Sequence, residues 1–415
     1  MNKNVIVIGG GIIGLCSAYY LQKEGHHVTI IDQSNMDAGA SYVNAGFLSP
    51  SHIIPLSAPG VMRKGLKWMF DPTSPLYIKP RLDSDFLKWT YAFNKSCNPN
   101  HVKNAIPAIK SLAVLSQELY KDIREKEHFS SQYQKDGILM LFQTEKMLHE
   151  ELKHARLATE EGLEVNEVTL TDLKQLEPNV NLNVLGGMYY KCDAHTTPNE
   201  FMTEMKAYLK TNGVVFYPNE KVEDLEVKNK KIVALVTKAH KLTADEFVLA
   251  AGSWSATLSK KLGIHLLLEA GKGYRIDTTR STGIKLPAIL VESKVAVTPM
   301  HGFTRFAGTM EIAGINDTIN KSRVNAIANA VTKYYPEISV TDTEKDAAAS
   351  GLRPVSPDGL AYIGTSSKCS NLIIAAGHAM LGWSMATGTG KLVSELISEK
   401  KPSLELKMFS PDRKF

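Results

Sequence analysis

Cysteine is scarce in this sequence: its 415 residues include four, at positions 16, 97, 192 and 369. They lie far apart, and no CxxC pair or Cys/His spacing accompanies them. This pattern argues against a zinc site and against a disulfide framework, and we predict no bound metal. A reducing compartment fits this cysteine usage.

Long hydrophobic runs are also missing. No apolar segment approaches the roughly twenty residues that are needed to span a bilayer. Residues 1–4 lead straight into an apolar run, without the separate charged and apolar regions of a signal peptide. We therefore expect a cytoplasmic protein, and peripheral contact with the inner face of a membrane stays open.

Neither sign of charge predominates. The 48 lysines and arginines exceed the 43 aspartates and glutamates by five, and the excess is not gathered into one tract. The sequence thus lacks the basic patch that is typical of nucleic-acid binding, and we expect no nucleic-acid partner. The chain is longer than one hydrophobic core usually allows, which predicts two domains.

A βαβ pattern opens the chain. An apolar run at residues 5–8 ends at a cluster of glycines, a segment with helical period follows at residues 12–23, and a second apolar run ends on Asp32. This order is typical of dinucleotide-binding units. Asp32 is placed to accept hydrogen bonds from an adenosine ribose, and its charge would repel a 2′-phosphate. The pattern alone leaves FAD and NAD open.

The glycines of this unit have separate predicted roles. Gly9 permits the tight turn out of the strand, Gly11 lets the backbone approach a pyrophosphate, and Gly14 lets the helix pack closely on the strand. The backbone N–H groups at the helix N-terminus, at Ile12 and Ile13, would face the phosphates.

Three later stretches have the small residues that a backbone close to a ligand requires. Residues 33–50 fit neither the helical nor the strand period, and their position directly after the βαβ unit favours a cofactor loop over an ordinary surface loop. Residues 246–255 are predicted as a strand that ends in a glycine turn, which gives a second close approach to the cofactor. Residues 377–384 are predicted as a turn into a helix that reaches about residue 398.

The middle of the chain predicts a second domain. Between residues 266 and 350, short strands alternate with turns around one helix at about residues 322–335, which indicates a mixed antiparallel sheet. Residues 351–359 are predicted as a rigid turn that contains Arg353. Residues 53–80 mix bulky apolar groups with Arg63, Lys64 and Lys67. Such a segment lies at a membrane surface, covers an active site or packs on the core, and the last two are favoured over the membrane surface.

Taken in order, these segments resemble the D-amino-acid-oxidase-like family of FAD-dependent oxidoreductases, and within it the bacterial D-amino-acid dehydrogenases. The resemblance covers essentially the whole chain. It is carried by residues 7–14 (VIGGGIIG), 41–46 (SYVNAG), 58–60 (APG) with 67–70 (KWMF), 251–255 (AGSWS), 272–274 (KGY), 351–354 (GLRP) with 357–359 (PDG), and 377–378 (GH) with 381–384 (LGWS).

The predicted fold class is α/β: a Rossmann-like FAD-binding domain interwoven with an α+β substrate domain that contains a mixed, mainly antiparallel sheet. No low-complexity linker separates the two, which is why they are expected to be interwoven. Residues 1–84, 151–265 and 350–415 are assigned to the FAD-binding domain, and residues 85–150 and 266–349 to the substrate domain.

The resemblance implies FAD as the cofactor. It places residues 41–48 along the pyrophosphate and the flavin, and the backbone of Val222 at the adenine. Residues 377–390 contain no cysteine where covalently flavinylated members of the family carry one, so a noncovalent flavin is expected. The candidate cofactor-binding residues are Gly9, Gly11, Ile12, Ile13, Gly14, Asp32, Gln33, Ser41, Asn44, Ala45, Gly46, Leu48, Val222, Ala251, Gly252, Trp254, Gly351, Gly382, Trp383 and Ser384.

Three residues are candidates for the chemistry. Arg353 corresponds to the family arginine that binds the substrate carboxylate; the alternative is a structural salt bridge. Tyr274 bonds the same carboxylate, caps the substrate cavity, or has only an ordinary hydroxyl partner. For His378, a role in shaping the flavin site or in hydrogen bonding is favoured over that of a general base. His52 is a weaker candidate for a base. The helix after Gly382 should direct its positive end at the flavin.

The first functional hypothesis is FAD-dependent oxidative deamination of D-amino acids, with D-proline or hydroxyproline type imino acids as further candidates. Hydride would pass from Cα to flavin N5, and the electrons to a quinone or another carrier. The alternative in the same fold is an oxidase of glycine, sarcosine or D-amino acids that uses O2. From other classes, a noncatalytic FAD-binding subunit stays open, and the weak net charge disfavours a tRNA-modifying enzyme.

Overall fold

Strands and helices alternate along most of the chain in the computed structural model, which describes residues 2–62 and 74–415. The strands are β1 (Asn4–Ile8), β2 (His27–Ile31), β3 (Phe47–Leu48), β4 (Leu76–Ile78), β5 (Tyr133–Gln134), β6 (Ile138–Phe142), β7 (Val165–Val168), β8 (Gly186–Tyr190), β9 (Ala194–Thr196), β10 (Val215–Tyr217), β11 (Val222–Lys228), β12 (Lys231–Thr237), β13 (Lys241–Leu242), β14 (Glu246–Leu249), β15 (Glu269–Thr278), β16 (Ala288–Leu290), β17 (Val295–Met300), β18 (Phe303–Ile312), β19 (Ala349–Val355), β20 (Tyr362–Ser366) and β21 (Cys369–Ala376). The α-helices are α1 (Ile12–Lys23), α2 (Gly39–Tyr42), α3 (Ser84–Ser96), α4 (Pro99–Lys126), α5 (Glu145–Glu160), α6 (Leu170–Leu176), α7 (Pro198–Thr211), α8 (Ser255–Lys260), α9 (Lys321–Tyr334), α10 (Asp342–Asp346) and α11 (Ala386–Ile397).

The predicted βαβ unit forms the centre of a six-stranded sheet. Its strand order is β10-β2-β1-β14-β21-β20, and the first five strands run parallel. Helices α1 and α11 pack so closely that a Cβ added at Gly390 would lie 2.5 Å from the backbone carbonyl carbon of Cys16. Because β1, β2 and β14 run parallel, their carboxyl ends meet at one edge of the sheet, where dinucleotide cofactors bind.

The second sheet is mixed and mainly antiparallel, as predicted. Its order is β19-β15-β18-β17-β16-β6-β8-β7, with β4 beside β18. Two of its pairings, β16 with β6 and β18 with β4, are parallel. Helix α9 covers one face, where Val324 and Ile327 pack with Ile276 and Phe306. The opposite face contacts the loop at residues 39–48.

Residues 351–355 are a strand and not part of a turn, which corrects the prediction for residues 351–359. Strand β19 pairs with β15 over seven residues, and this long-range pairing outweighs the local glycine and proline signals. Pro354 is tolerated because β19 lies at the sheet edge, where one side of the strand needs no donors.

The pairing of β7, β8 and β19 bears on the domain boundaries. All three strands belong to the second sheet, although residues 151–265 and 350–415 are assigned above to the FAD-binding domain. We propose that residues 165–190 and 349–355 belong to the substrate domain. The basic stretch predicted within residues 53–80 lies largely outside the described residues, because residues 63–73 are not among them.

Candidate functional site

Two glycines of the first turn have the close contacts that the sequence predicts. Gly9 has a φ of 111°, and a Cβ there would collide with the carbonyl oxygen of Ala250 at the end of the neighbouring β14. A Cβ at Gly14 would collide with the carbonyl oxygen of Gly9. Only glycine therefore allows α1 to begin directly against the ends of β1 and β14.

Asp32 lies at the end of β2 and faces this turn. Its Oδ2 accepts a hydrogen bond from the backbone N–H of Gly10 at 2.6 Å, and its Oδ1 accepts one from the N–H of Ser34 at 2.8 Å. The backbone N–H of Glu220 donates to the Asp32 carbonyl at 2.8 Å, which brings the start of β11, at Val222, to the same edge. Gln33, beside Asp32, is exposed.

The N-terminus of α1 meets the small-residue loop. The backbone N–H of Ile12 donates to Ser41 Oγ at 3.0 Å. A Cβ added at Gly11 would meet only this oxygen, at 3.2 Å, within 4 Å. The N–H groups of the first turn, including that of Ile13, thus lie beside a hydroxyl and open space, which fits a phosphate-binding cradle.

The cofactor loop, residues 39–48, is attached to the second sheet through its carbonyl groups. Arg305 Nη1 donates to the carbonyl oxygens of Asn44 at 2.8 Å and of Tyr42 at 3.2 Å. Thr298 Oγ1 donates to the carbonyl oxygen of Ala45 at 2.8 Å. Both side chains come from adjacent strands, β18 and β17, so the sheet itself fixes the loop.

The other end of this loop is held by β9. The N–H and Oγ1 of Thr196 donate to the carbonyl oxygen of Gly46, at 2.9 and 3.1 Å. Gly46 has a φ of 78°, and a Cβ there would collide with the Thr196 carbonyl oxygen. Asn44 Oδ1 accepts from the Gly46 N–H at 2.8 Å, and the buried Leu48 pairs with β9.

Sequence reasoning missed Arg305 and its partner Asp277. The guanidinium is 2% exposed and makes a bidentate pair with Asp277, with Nε to Oδ1 at 2.8 Å and Nη2 to Oδ2 at 3.0 Å. The available signal was a charged residue within the apolar strand 303–312. Such a residue must be paired when it is buried, and here pairing leaves Nη1 free to bind the loop.

The segment after β14 lies beside β19. Residues Gly252–Trp254 form a 3₁₀ turn in which Gly252 has a φ of 53°, and a Cβ there would meet no atom within 4 Å. Ser253 Oγ donates to the carbonyl oxygen of Leu352 at 3.1 Å. A Cβ at Gly351 would lie 2.6 Å from Ala40 Cα. Gly351 thus lies against the cofactor loop, and residues Gly252–Trp254 lie beside the same strand, β19.

The C-terminal turn meets the same loop. Ser384 Oγ donates to the carbonyl oxygen of Phe47 at 2.8 Å and accepts from the Ser49 N–H at 3.1 Å. Trp383 is 1% exposed, and its Nε1 donates to Thr196 Oγ1 at 2.9 Å. Residues 382–384 are therefore fixed against residues 47–49.

The helix expected directly after Gly382 begins later, at Ala386, with Met385 as its N-cap. A short 3₁₀ turn, Ala379–Leu381, comes first. Of the intervening residues, Ser384 bonds the cofactor loop through its side chain. The helix thus begins just after the turn predicted for residues 377–384.

Arg353 lies on the face of the second sheet that meets the cofactor loop. It is paired directly opposite Gly271 in β15, and its guanidinium extends across Gly273, where a Cβ would collide with it. Nη1 donates to the carbonyl oxygen of Thr309 at 2.9 Å, in the next strand. Asp277 lies four residues beyond Gly273 and six beyond Gly271 on β15, so all three are on the same face of the strand. Arg305 is paired opposite Asp277, and Arg353 and Arg305 therefore share this face.

No carboxylate lies within 4 Å of Arg353 among residues 2–62 and 74–415, which argues against the alternative of a structural salt bridge. Burial lowers the pKa of Arg353 to about 10, so the guanidinium stays charged at neutral pH. An unpaired, half-buried guanidinium is a binding site for an anion.

Tyr274 is not brought to Arg353. It alternates onto the opposite face of β15, where its ring packs with Ile276 and Val324, and its hydroxyl donates to Glu311 Oε2 at 3.1 Å. Burial and the Glu311 carboxylate raise the pKa of Tyr274 above its usual range. The expectation that Tyr274 bonds the carboxylate held by Arg353 is therefore wrong, because the strand pairing turns the two side chains apart.

The two histidine candidates are both engaged inside the protein. His378 is 3% exposed, its Nε2 lies 3.0 Å from Thr389 Oγ1, and burial lowers its pKa to about 3. His52 Nδ1 lies 3.0 Å from Ser51 Oγ, and burial lowers the pKa of His52 to about 4. A neutral, bonded His378 at this turn fits a shaping role better than that of a base.

The chain matches a known protein family over most of its length. The family model described as FAD dependent oxidoreductase matches residues 4–396. The chain belongs to this FAD-dependent oxidoreductase family. D-amino acid dehydrogenase from Vibrio vulnificus strain YJ016 is 32% identical to it over 412 residues, which cover 97% of this chain and 98% of that protein.

Solved structures share the fold of this family member. Glycine oxidase from Geobacillus kaustophilus has a TM-score of 0.79 at 21% identity, and the match covers 100% of this chain and 99% of that one. L-proline dehydrogenase from P. horikoshii has a TM-score of 0.75 at 18% identity, with 99% and 97% covered. The cofactor of this family, FAD, fits the glycine turn, Asp32 and the loop at residues 39–48.

A conservative change at Arg305 tests the attachment of the cofactor loop. In Arg305→Lys, a single ammonium cannot bond Asp277 and two carbonyl groups together, so we expect the Kd for FAD to rise at least about tenfold. Titration of the apoprotein with FAD measures this. The matched control is Arg280→Lys, because Arg280 is half exposed and pairs with Glu344 away from the loop. Equal FAD affinity in both variants would contradict the role of Arg305.

Proposed function

We propose that this oxidoreductase is an FAD-dependent dehydrogenase of D-amino acids, with D-proline and hydroxyproline type imino acids among its candidate substrates, and that it passes electrons to a quinone or another carrier. The observation that carries the proposal is Arg353, a charged guanidinium without a carboxylate partner in the described residues. The 32% identity to a D-amino acid dehydrogenase supports the substrate class.

The guanidinium has one edge available for a ligand. Nη1 is used by the Thr309 carbonyl oxygen, which fixes the plane of the group. The Nε and Nη2 atoms make no hydrogen bond in the described part of the chain, and together they match the two oxygens of a carboxylate. Arg353 would therefore orient an amino acid by its carboxylate and leave its Cα and amine to face the cofactor.

FAD, when bound, supplies the ring that accepts the hydride from the substrate Cα. The protein contributes orientation of the acid at Arg353 and exclusion of water by the surrounding sheet. Neither Tyr274 nor His378 is free to take a proton, since each is buried and bonded on its own side. We propose that the substrate amine enters in its free-base form, so that no side-chain base is needed.

Removal of the Arg353 charge tests this function. In Arg353→Leu we expect kcat/KM for D-amino acids to fall roughly 100-fold or more, because the bound carboxylate loses the charged partner proposed for it. FAD content should stay unchanged, since Arg353 bonds none of the predicted cofactor residues. The assay is anaerobic bleaching of the flavin with D- and L-amino acids and imino acids.

This assay, together with an aerobic measurement of oxygen consumption and peroxide, separates the alternatives. Arg280→Leu serves as the control and should match the unsubstituted protein. Near-normal turnover and KM in Arg353→Leu would contradict the carboxylate clamp. Oxygen consumption with stoichiometric peroxide would select the oxidase, and a flavin that no amino acid bleaches would select the noncatalytic subunit.

We also propose peripheral contact with a membrane, through an apolar patch defined by Leu82, Leu87, Tyr91 and Ile315. These side chains are 98%, 53%, 71% and 47% exposed. Leu87 and Tyr91 are four residues apart on α3, and Gly314, next to Ile315, adjoins Arg81, next to Leu82. Within the described ranges, no helix is long and apolar enough to cross a membrane.

Flotation with vesicles that contain phosphatidylglycerol tests this contact. Exposed Lys79, Lys88 and Lys95 flank the patch and would attract anionic lipid. We expect the unsubstituted protein to float and the double variant Leu82→Glu/Tyr91→Glu to stay in the dense fraction. The control is Leu170→Glu/Leu185→Glu, which changes two exposed leucines elsewhere. If the unsubstituted protein does not float, the proposed contact is wrong.

A further inference from the structure

A β-bulge lies next to Arg353. In the pairing of β15 with β18, Lys272 is opposite Glu311 and Tyr274 is opposite Gly308, with a register shift between the two pairs. Thr309 and Met310 therefore both face Gly273. This is the residue across which the Arg353 guanidinium extends, so the bulge and the guanidinium lie at the same level of the sheet.

The backbone of the bulge is strained at Thr309. Thr309 has a φ of 57°, in the left-handed region that β-branched residues rarely adopt. Glycine would make the same bend without strain, and the preceding residue, Gly308, is a glycine. A threonine at this position therefore indicates that its side chain is used.

The Thr309 hydroxyl has no hydrogen-bond partner among residues 2–62 and 74–415. The residue is 6% exposed, and its Oγ1 makes no hydrogen bond within the described residues. Burial of an unbonded hydroxyl is unfavourable. A hydrogen bond from this hydroxyl to a ligand would therefore make binding of the ligand more favourable.

The carbonyl group of the same residue already bonds Arg353. Its oxygen accepts from Nη1 at 2.9 Å, because the bulge turns it out of the strand ladder. The unbonded hydroxyl belongs to the same residue as this oxygen. The ligand group that fits both an unpaired guanidinium and a free hydroxyl is a carboxylate.

We propose that Thr309 is a substrate-binding residue, which positions Arg353 through its carbonyl oxygen and donates its hydroxyl hydrogen to the carboxylate that Arg353 binds. The inference rests on the proposed function, and it adds a second contact to the acid group of the substrate. It also explains why the strained backbone is kept at this position.

Benzoate is a suitable probe, because it is a carboxylate without a Cα–H bond and cannot be oxidised. Calorimetric titration of the FAD-loaded protein gives its Kd, and thermal unfolding gives the Tm. We expect Thr309→Val to raise the Kd about tenfold, since it loses one hydrogen bond to a charged group at nearly constant shape. Thr309→Ser should stay within about threefold, because it keeps the hydroxyl.

Two further variants separate binding from structure. Thr309→Gly should raise the Kd for benzoate about tenfold while the Tm does not fall, because the backbone strain is relieved. Thr304→Val is the matched control: Thr304 is buried in the same strand and bonds Thr282 at 2.8 Å. It should lower the Tm and leave the Kd unchanged.

The outcomes distinguish this inference from the proposed function. If Thr309→Val binds benzoate as tightly as the unsubstituted protein while D-amino acids still bleach the flavin, the inference is overturned and the function stands. If no amino acid bleaches the flavin, yet Arg353→Leu and Thr309→Val both weaken benzoate binding, the carboxylate site stands and the proposed reaction is wrong.

Discussion

The buried pair of Arg305 and Asp277 is the interaction on which the site depends. The Arg305 side chain is buried in the second sheet, with 2% of the residue exposed. Nε and Nη2 bond Asp277, and Nη1 donates to the carbonyl oxygens of Tyr42 and Asn44. The loop that follows β2 is thereby attached to the second sheet. A buried charge is stable only with full pairing, so the position of the loop is fixed by the need to satisfy this arginine.

The substrate side of the site follows from the same sheet face. Strand alternation puts Asp277 and Gly273 on one face of β15, and Arg353 lies across Gly273 from the neighbouring strand. The two arginines therefore differ in what they bind: Arg305 is saturated by the protein, and Arg353 retains an unused edge. This difference in pairing, and not charge alone, separates a structural arginine from a ligand-binding one.

Local chemistry made part of this predictable from sequence. The roles of Gly9 and Gly14 follow from a turn whose partners are close in the chain or in the βαβ unit. The position of Tyr274 and the strand around Arg353 depend on pairing with distant strands, and the bulge at Thr309 changes the alternation within one strand. Register across such pairs is set by packing of the whole sheet, so a single sequence does not reveal it.

The most direct test is a crystal structure of the FAD-loaded protein with benzoate. We expect both carboxylate oxygens to lie about 3 Å from Nε and Nη2 of Arg353. Thr309 Oγ1 should lie within hydrogen-bonding distance of one of them, with the bond from Nη1 to the Thr309 carbonyl oxygen retained. A carboxylate bound elsewhere, or an Arg353 paired with a carboxylate of the protein itself, would contradict the account.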